Sequence, residues 1–345
     1  MAPRVSIVVP CFNKRGLTAQ CWESLAAHTP DFPHSWEAIF LDNASSDGTS
    51  AWLESRCDPR IRVVRNPANL GFAAACNQGA SVARGRYVVF LNNDTEARAG
   101  WLSPLIQTLD SDSSAGVVGS KLLYPDGTVQ HAGMIVKERN PGELIRWEHL
   151  YRLCSPDAPV VNRVREFQAV TGAALAMRRA RFDALGGFDE GYVNGWEDVD
   201  LCLRVRQLGL RVLYHPGSAL VHHESQTPGR FDRERANSER FLSKWDGAAY
   251  SDESEKLRED GQHELAALAE AQAALRVQLC RFVPVPDLFP AGIQPGLRAE
   301  RPGLRGRIDR YFGVRTGQKE SVVRRFQCVE LLGRQLSRRP VGGPT

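Results

Sequence analysis

Residues 87–94 read Tyr-Val-Val-Phe-Leu-Asn-Asn-Asp: five apolar residues without a break, then three polar ones. Such a run, rich in β-branched and aromatic side chains, predicts a strand buried on both faces that ends at Asn92-Asn93-Asp94. Working outward, the pattern recurs. Val5–Val9 predicts a strand running into Pro10-Cys-Phe-Asn13, then a helix over about Gly16–His28. Trp36–Leu41 predicts a second strand, followed by Asp42-Asn43-Ala-Ser-Ser-Asp47-Gly48, in which Ser45, Ser46 or Asp47 caps the next helix. Ile61–Val64 predicts a third, followed by Asn66-Pro-Ala-Asn69-Leu-Gly71 and a helix near Phe72–Ala83; a further helix starts near Trp101. Strand–helix units in succession predict an α/β fold, a Rossmann-like, mostly parallel and doubly wound sheet flanked by helices. Ligands of such sheets gather at the carboxyl ends of the strands. Asn, Asp, Gly and Pro at any one strand end make a turn; at four consecutive ends they predict a binding cleft.

The second half changes style. Residues 138–165 are polar and aperiodic and predict a long loop. Ala169–Met177 predicts a strand of small residues centred on Thr171-Gly172-Ala173, and Arg178–Leu185 a short helix. Gly186-Gly187-Phe188-Asp189 predicts a turn, and the stripe of Leu201, Val205 and Leu208 an amphipathic helix over Asp198–Leu208. Arg211–Tyr214 predicts one strand and Leu220-Val221 a second, leading to His222-His223.

With 42% apolar and 24% charged residues, the 345-residue chain can bury a sizeable core. No stretch approaches the roughly 18–20 unbroken apolar residues of a bilayer span. The apolar run of the N-terminus is short and interrupted by Pro10 and Asn13, unlike a signal peptide. Eight cysteines stand singly with no CxxC pair, which argues against a zinc site and for reduced thiols in a cytoplasmic protein. Charge is uneven. Residues 301–345 hold eleven Lys/Arg against three acids, leaving 33 bases and 37 acids over residues 1–300. The basic balance is therefore a property of the tail, and nucleic acid is not an expected partner.

Several of these residues carry chemistry. Asp42 can accept from the N3–H of a pyrimidine base, and Asn13 suits the same base or its ribose; the alternative is that Asp42 and Asp47 only cap the helix after them. Asp94, pushed into the cleft by its strand, can hold Mg²⁺ or Mn²⁺ against a negatively charged diphosphate. Glu197-Asp198 opens a helix, where acids are common for dipole reasons alone; the chemical reading has Asp198 take the proton of an attacking hydroxyl, as the base of an inverting glycosidase activates its nucleophile. Adjacent histidines in a strand point to opposite faces, so one of His222 and His223 can enter the cleft. Imidazole suits Mn²⁺ better than Mg²⁺.

Seven collinear segments, VSIVVPCFN (5–13), LDNASSDGT (41–49), NPANLGFAAACNQG (66–79), YVVFLNNDT (87–95), AVTGAALAMRR (169–179), GGFDEGYVNGWEDVDLCLRVRQLG (186–209) and VLYHPGSALVHHES (212–225), resemble the family 2 glycosyltransferases, in particular bacterial rhamnosyltransferase-like members. The resemblance implies the glycosyltransferase A fold, a nucleotide-diphosphate sugar donor such as a UDP- or dTDP-sugar, a divalent metal, Mn²⁺ or Mg²⁺, and inversion at the anomeric carbon. It implies donor-nucleotide contacts at Pro10, Asn13, Asp42, Asn43, Asn69, Gly71, Asn92 and Asn93. It makes Asp94 and His222 metal ligands, with His223 the alternative, and Asp198 with Glu197 the catalytic acids. Asn92 stands where the family's DxD motif begins with an acid, which leaves more of the metal binding to Asp94. The family's setting implies an acceptor hydroxyl on a glycan or lipid-linked glycan of the cell envelope. A nucleotidyltransferase would need a Gly-rich loop with Arg and Lys after strand one, and Pro10-Cys-Phe-Asn13-Lys14 is not that loop. A non-catalytic sugar-nucleotide-binding scaffold would not need Asp94, Asp198 and His222 together.

These readings divide the chain into a catalytic domain over residues 1–230, with a nucleotide-binding half to about 115 and an acceptor and metal half after it. A helical extension over 231–282, a Pro/Gly-rich linker over 283–303 and a basic tail over 304–345 follow. Leu265, Leu268, Leu275, Leu279 and Phe282 fit a short heptad seam. Val322, Phe326, Val329, Leu332 and Leu336 form one apolar stripe amid Arg324, Arg325, Arg334, Arg338 and Arg339. Such a helix can lie peripherally on an anionic membrane; the alternatives are docking on the catalytic domain and pairing with a second copy in a homodimer.

Overall fold

The computed structural model describes residues 3–29, 36–137, 146–223, 233–245, 247–263, 266 and 269–270. The heptad seam, the linker and the basic tail lie outside the described residues. The chain divides into two compact units, Met1–Lys137 with Leu144–Tyr250, and Glu138–Glu143 with Ser251–Thr345.

In the first unit, β1 (Val5–Cys11), α1 (Arg15–His28), β2 (Trp36–Asp42), α2 (Thr49–Glu54), β3 (Ile61–Arg65), α3 (Gly71–Val82) and β4 (Tyr87–Leu91) alternate as predicted. β1, β2 and β4 are buried at every residue, which is why their sequences run apolar without alternation. β3 is half-buried and carries Arg62 and Arg65, the charged signature of a sheet edge. At Gly79 of α3 an added Cβ would stand 2.4 Å from a Val8 methyl, so glycine alone permits this approach of helix to sheet. β5 (Thr95–Ala97) and α4 (Leu102–Ser111) follow, the helix burying Leu102, Leu105, Ile106 and Leu109 at helical spacing. Next come β6 (Ala115–Leu123), β7 (Val129–His131), β8 (Met134–Val136), β9 (Trp147–His149), β10 (Arg165–Glu166), β11 (Ala174–Arg178), α5 (Arg179–Ala184), α6 (Glu197–Gln207), β12 (Arg211–His222) and α7 (Glu234–Trp245). In the second unit, α8 (Glu253–Glu259) carries a Lys256–Glu259 ion pair of 2.9 Å.

The main sheet runs β10-β12-β6-β11-β4-β1-β2-β3, with β5 on β12 and β7 on β6. β11 is antiparallel to both its neighbours, β4 and β6, whereas β12 is parallel to β6. The sheet is therefore mostly parallel, interrupted by one reversed strand in its interior.

Three expectations need correction. The predicted strand Ala169–Met177 is a strand only from Ala174, and Thr171-Gly172-Ala173 precedes it. The two strands predicted around His215–Ser218 are one strand of twelve residues, kinked by a register shift between His215 and Ala219, where the buried Ser218 and Ser120 hydroxyls meet at 2.8 Å. Pro216 is tolerated because it sits in that irregularity. The predicted loop over 138–165 contains β9, which pairs antiparallel with β8; three residues are too few to show a period.

Phe188 packs against both Phe90 and Phe182, with ring centroids 4.8 and 5.3 Å away, and meets Phe72 at 5.8 Å. Phe188→Ala is expected to destabilise the first unit by about 3–5 kcal/mol in chemical denaturation, and Phe188→Leu by clearly less. A loss under about 1 kcal/mol for the alanine variant would mean that the cluster does not anchor the turn before α6. Among the described residues no helix is long and apolar enough to cross a membrane.

Candidate active site

A cavity opens at the carboxyl ends of β1, β2 and β4, and β12 brings its own end to the same place. His222 of β12 pairs with Thr95 of β5, and the His223 N–H donates to the Asp94 carbonyl at 3.0 Å. The turn after β4 and the histidines 128 residues later are thereby fixed side by side. Pro10, Asn43, Asn69, Gly71, Asn92, Asn93, Asp94, Glu197, Asp198 and His222 all line this cavity. Asn13, Asp42 and His223 do not.

Asn13 and Asp42 hold loops together. Asp42 is buried, accepts from the Ser45 N–H at 2.9 Å and also takes the Ser50 hydroxyl. Asn13 Oδ1 accepts from the Ser46 N–H at 2.8 Å, and its own N–H donates to Ser45 Oγ at 2.7 Å. Asn43, which does reach the cavity, is braced by Asn66 at 2.8 Å and donates to the Gly71 carbonyl at 3.3 Å. Asn69 Oδ1 takes the Gly71 N–H at 3.0 Å.

His222 and His223 point to opposite faces, as strand geometry requires. His223 Nε2 stands 2.6 Å from Glu96, whereas His222 Nε2 stands 3.2 Å from Asp94 Oδ1 and 3.2 Å from Asn92 Nδ2. Asp94 Oδ1 is buried without a hydrogen-bond partner. Burial pushes the Asp94 carboxyl up, and its interaction with the facing His222 ring outweighs this, for a net value below the usual carboxylate range. A carboxylate oxygen and an imidazole nitrogen facing each other are satisfied by a cation, either a proton on Nε2 or a metal ion. Among the described residues no group of three or more His, Cys, Asp or Glu is placed to hold a metal. Two protein ligands fit an ion whose other ligands are substrate phosphates and water.

Asp198 stands in the first turn of α6. Its Oδ2 accepts from the Gly172 N–H at 2.7 Å and its Oδ1 from the Val199 N–H at 2.8 Å. A Cβ at Gly172 would lie 3.1 Å from the Asp198 Cβ, so this carboxylate is packed as well as hydrogen-bonded in place. Glu197 folds back to take the Gly195 N–H at 2.7 Å, which shapes the loop before the helix. That loop is strained, with φ of 54° at Asn194 and 78° at Trp196. Helix α7 holds it. Asn237 Nδ2 donates to the Val193 and Gly195 carbonyls at 2.9 and 3.1 Å, its Oδ1 accepts from the Val193 N–H, and Phe241 packs on Trp196 with centroids 4.8 Å apart.

Several lining residues escaped the sequence reading: Phe12, Lys14, Phe72, Gln130, His149 and Asn194. Lys14, directly after Asn13 in the first motif, is the one Lys or Arg side chain lining the cavity among the described residues, against the carboxylates of Asp94, Glu197 and Asp198. Thr171-Gly172-Ala173 was visible in the sequence, but as the middle of a strand.

The family model for glycosyl transferase family 2 matches residues 6–160, and that for the N-terminal domain of galactosyltransferase matches residues 157–225. The chain resembles the family 2 glycosyltransferases. The chain is 35% identical over 230 residues to the O-antigen biosynthesis protein RfbC of Myxococcus xanthus, covering 65% of the chain but 17% of that protein. It is 27% identical over 220 residues to the N-acetylglucosaminyl-diphospho-decaprenol L-rhamnosyltransferase of Mycobacterium tuberculosis, covering 56% of the chain and 68% of the relative. The crystal structure of GalNAc-T7 with UDP, GalNAc and Mn²⁺ superposes with a TM-score of 0.53 at 18% identity, over 66% of this chain and 45% of that one. The fold is the glycosyltransferase A fold. Helix α7, which braces the loop before Asp198, lies beyond both matched regions.

Proposed function

We propose that this glycosyltransferase moves a sugar from a nucleotide-diphosphate donor, a UDP- or dTDP-sugar, to an acceptor hydroxyl with inversion at the anomeric carbon. The observation that carries the reading is the facing pair of Asp94 Oδ1 and His222 Nε2 in the cavity that Asp198 also lines. Asp94 and His222 would hold a divalent cation, Mn²⁺ or Mg²⁺, whose charge offsets that of the donor diphosphate. The cavity's own charge supports this. Three carboxylates against one lysine repel a bare diphosphate.

Pro10, Asn43, Asn69, Gly71, Asn92 and Asn93 receive the nucleotide at the strand ends, while Asn13 and Asp42 keep the loops under it in shape. Asp198 takes the proton from the acceptor hydroxyl as its oxygen bonds to the anomeric carbon, and the bond from that carbon to the diphosphate oxygen breaks. Attack from the face opposite the leaving group inverts the centre. Glu197 holds the loop through Gly195. Incubation with a panel of UDP- and dTDP-sugars and Mn²⁺ is expected to release nucleoside diphosphate. Donor binding without turnover across the panel, with any acceptor glycan, would favour a binding scaffold instead.

The name of the mycobacterial relative supports a lipid-linked glycan as acceptor. Such an acceptor lies at a membrane surface, which suits peripheral attachment through the basic stripe of residues 322–339. Removing residues 301–345 is expected to leave donor hydrolysis intact and to abolish co-sedimentation with anionic liposomes. Full-length protein that does not sediment with them at low salt would leave docking on the catalytic domain, or pairing with a second copy, as the role of the stripe.

A further inference from the structure

Gln130 sits in β7, the short strand that pairs with the end of β6 across a register shift. Its side chain is 2% exposed and closes on a single residue of β12. The amide Nε2 donates to the His222 carbonyl at 3.1 Å, and Oε1 stands 2.6 Å from His222 Nδ1. A backbone carbonyl only accepts, so the NH₂ end of the amide must be the one facing it. The oxygen end therefore faces the ring, and since it also only accepts, Nδ1 carries the ring's proton. In the neutral ring Nε2 is then the bare nitrogen, and it is the one turned toward Asp94 and Asn92.

We infer that Gln130 is a positioning residue that fixes the tautomer and orientation of His222, so that the ring presents a lone pair rather than a proton to a cation at Asp94. This rests on the proposed metal reading of Asp94 and His222 and adds the residue that makes the histidine a ligand. Without Gln130 the ring has a cheaper arrangement. Nε2 takes the proton and donates a hydrogen bond to the Asp94 carboxylate, and that bond fills the place of the ion. Metal-bound imidazoles are commonly held through their other nitrogen by a carboxylate or a carbonyl. Here a carboxamide holds both ring and backbone of the same residue without adding a second negative charge against the ring beside Asp94.

The test uses Gln130→Met, which keeps the volume and removes both hydrogen bonds, and Gln130→Glu, which keeps an acceptor for Nδ1. Mn²⁺ binding is followed by the loss of the free-ion EPR signal in the presence of UDP, with folding checked by thermal melting. We expect Gln130→Met to weaken Mn²⁺ binding by about 10–100-fold, the usual cost of removing an outer-shell partner, and Gln130→Glu to restore most of it. In metal-free protein the ring ¹⁵N shifts of His222, assigned by their absence in His222→Ala, should report Nδ1–H in the wild type and in Gln130→Glu, and Nε2–H in Gln130→Met. If the wild type binds Mn²⁺ and Gln130→Met binds it within about twofold with Nδ1 still protonated, the inference is overturned while the metal reading stands. If the wild type binds Mn²⁺ no better than His222→Ala, the metal reading falls, and the inference with it.

Discussion

Asp198→Asn is expected to bind UDP within a few-fold of the wild type while turnover falls by about 10²–10⁴-fold, the usual worth of a general base. The amide has nearly the shape of the carboxylate but cannot take the proton of an attacking hydroxyl. Its oxygen can keep either the Gly172 or the Val199 N–H, whose bonds to Asp198 measure 2.7 and 2.8 Å. The other N–H then meets an NH₂ group, so a modest loss of stability accompanies the kinetic one. The proton to be removed belongs to the acceptor and not to the diphosphate, which separates the effect on kcat from that on donor affinity. Steady-state kinetics beside calorimetric UDP titration make the comparison. A loss of UDP affinity as large as the loss of turnover would sink the assignment of Asp198 as base.

The second large effect concerns the ion. Asp94→Ala and His222→Ala should each abolish the Mn²⁺-dependent part of donor binding, with a loss beyond the about 10–100-fold that an outer-shell partner costs. With Asp94 and His222 as the two proposed protein ligands, removing either leaves one, too few to compete with water for a divalent ion. His223→Ala provides the control, because its ring points the other way and pairs with Glu96 at 2.6 Å. It should bind within a few-fold of the wild type. Activity that survives EDTA unchanged would refute the metal role of both Asp94 and His222.

The first half of the main sheet was legible because its signal is local. A strand buried on both faces must be apolar at every residue, so Val5–Val9 and Tyr87–Leu91 announce themselves, and the polar residues that close them mark the cleft. The alternation of faces also showed that only one of His222 and His223 could enter it. What stayed hidden depends on distant partners. Nothing near Gln130 in sequence tells of His222, 92 residues away, and nothing near Gly172 tells of Asp198. β12 looked like two strands because Pro216-Gly217 reads as a turn until the neighbouring strand shows that it is a bulge. Asp42 has the composition of a base-binding carboxylate, and its oxygens also serve Ser45 and Ser50, a local hydrogen-bonding habit that composition cannot separate from ligand binding.

The brace that α7 places on residues 193–196 bears on how acceptor preference can be moved between relatives. The second matched family model ends at residue 225, so a graft cut there would transplant Asn194, Trp196 and Asp198 without Asn237 and Phe241. The transplanted loop would then relax toward ordinary backbone angles, carrying the first turn of α6 with it. For exchange between homologues, the heritable module is longer than its own signature, and its last indispensable piece is a helix with no sequence motif of its own.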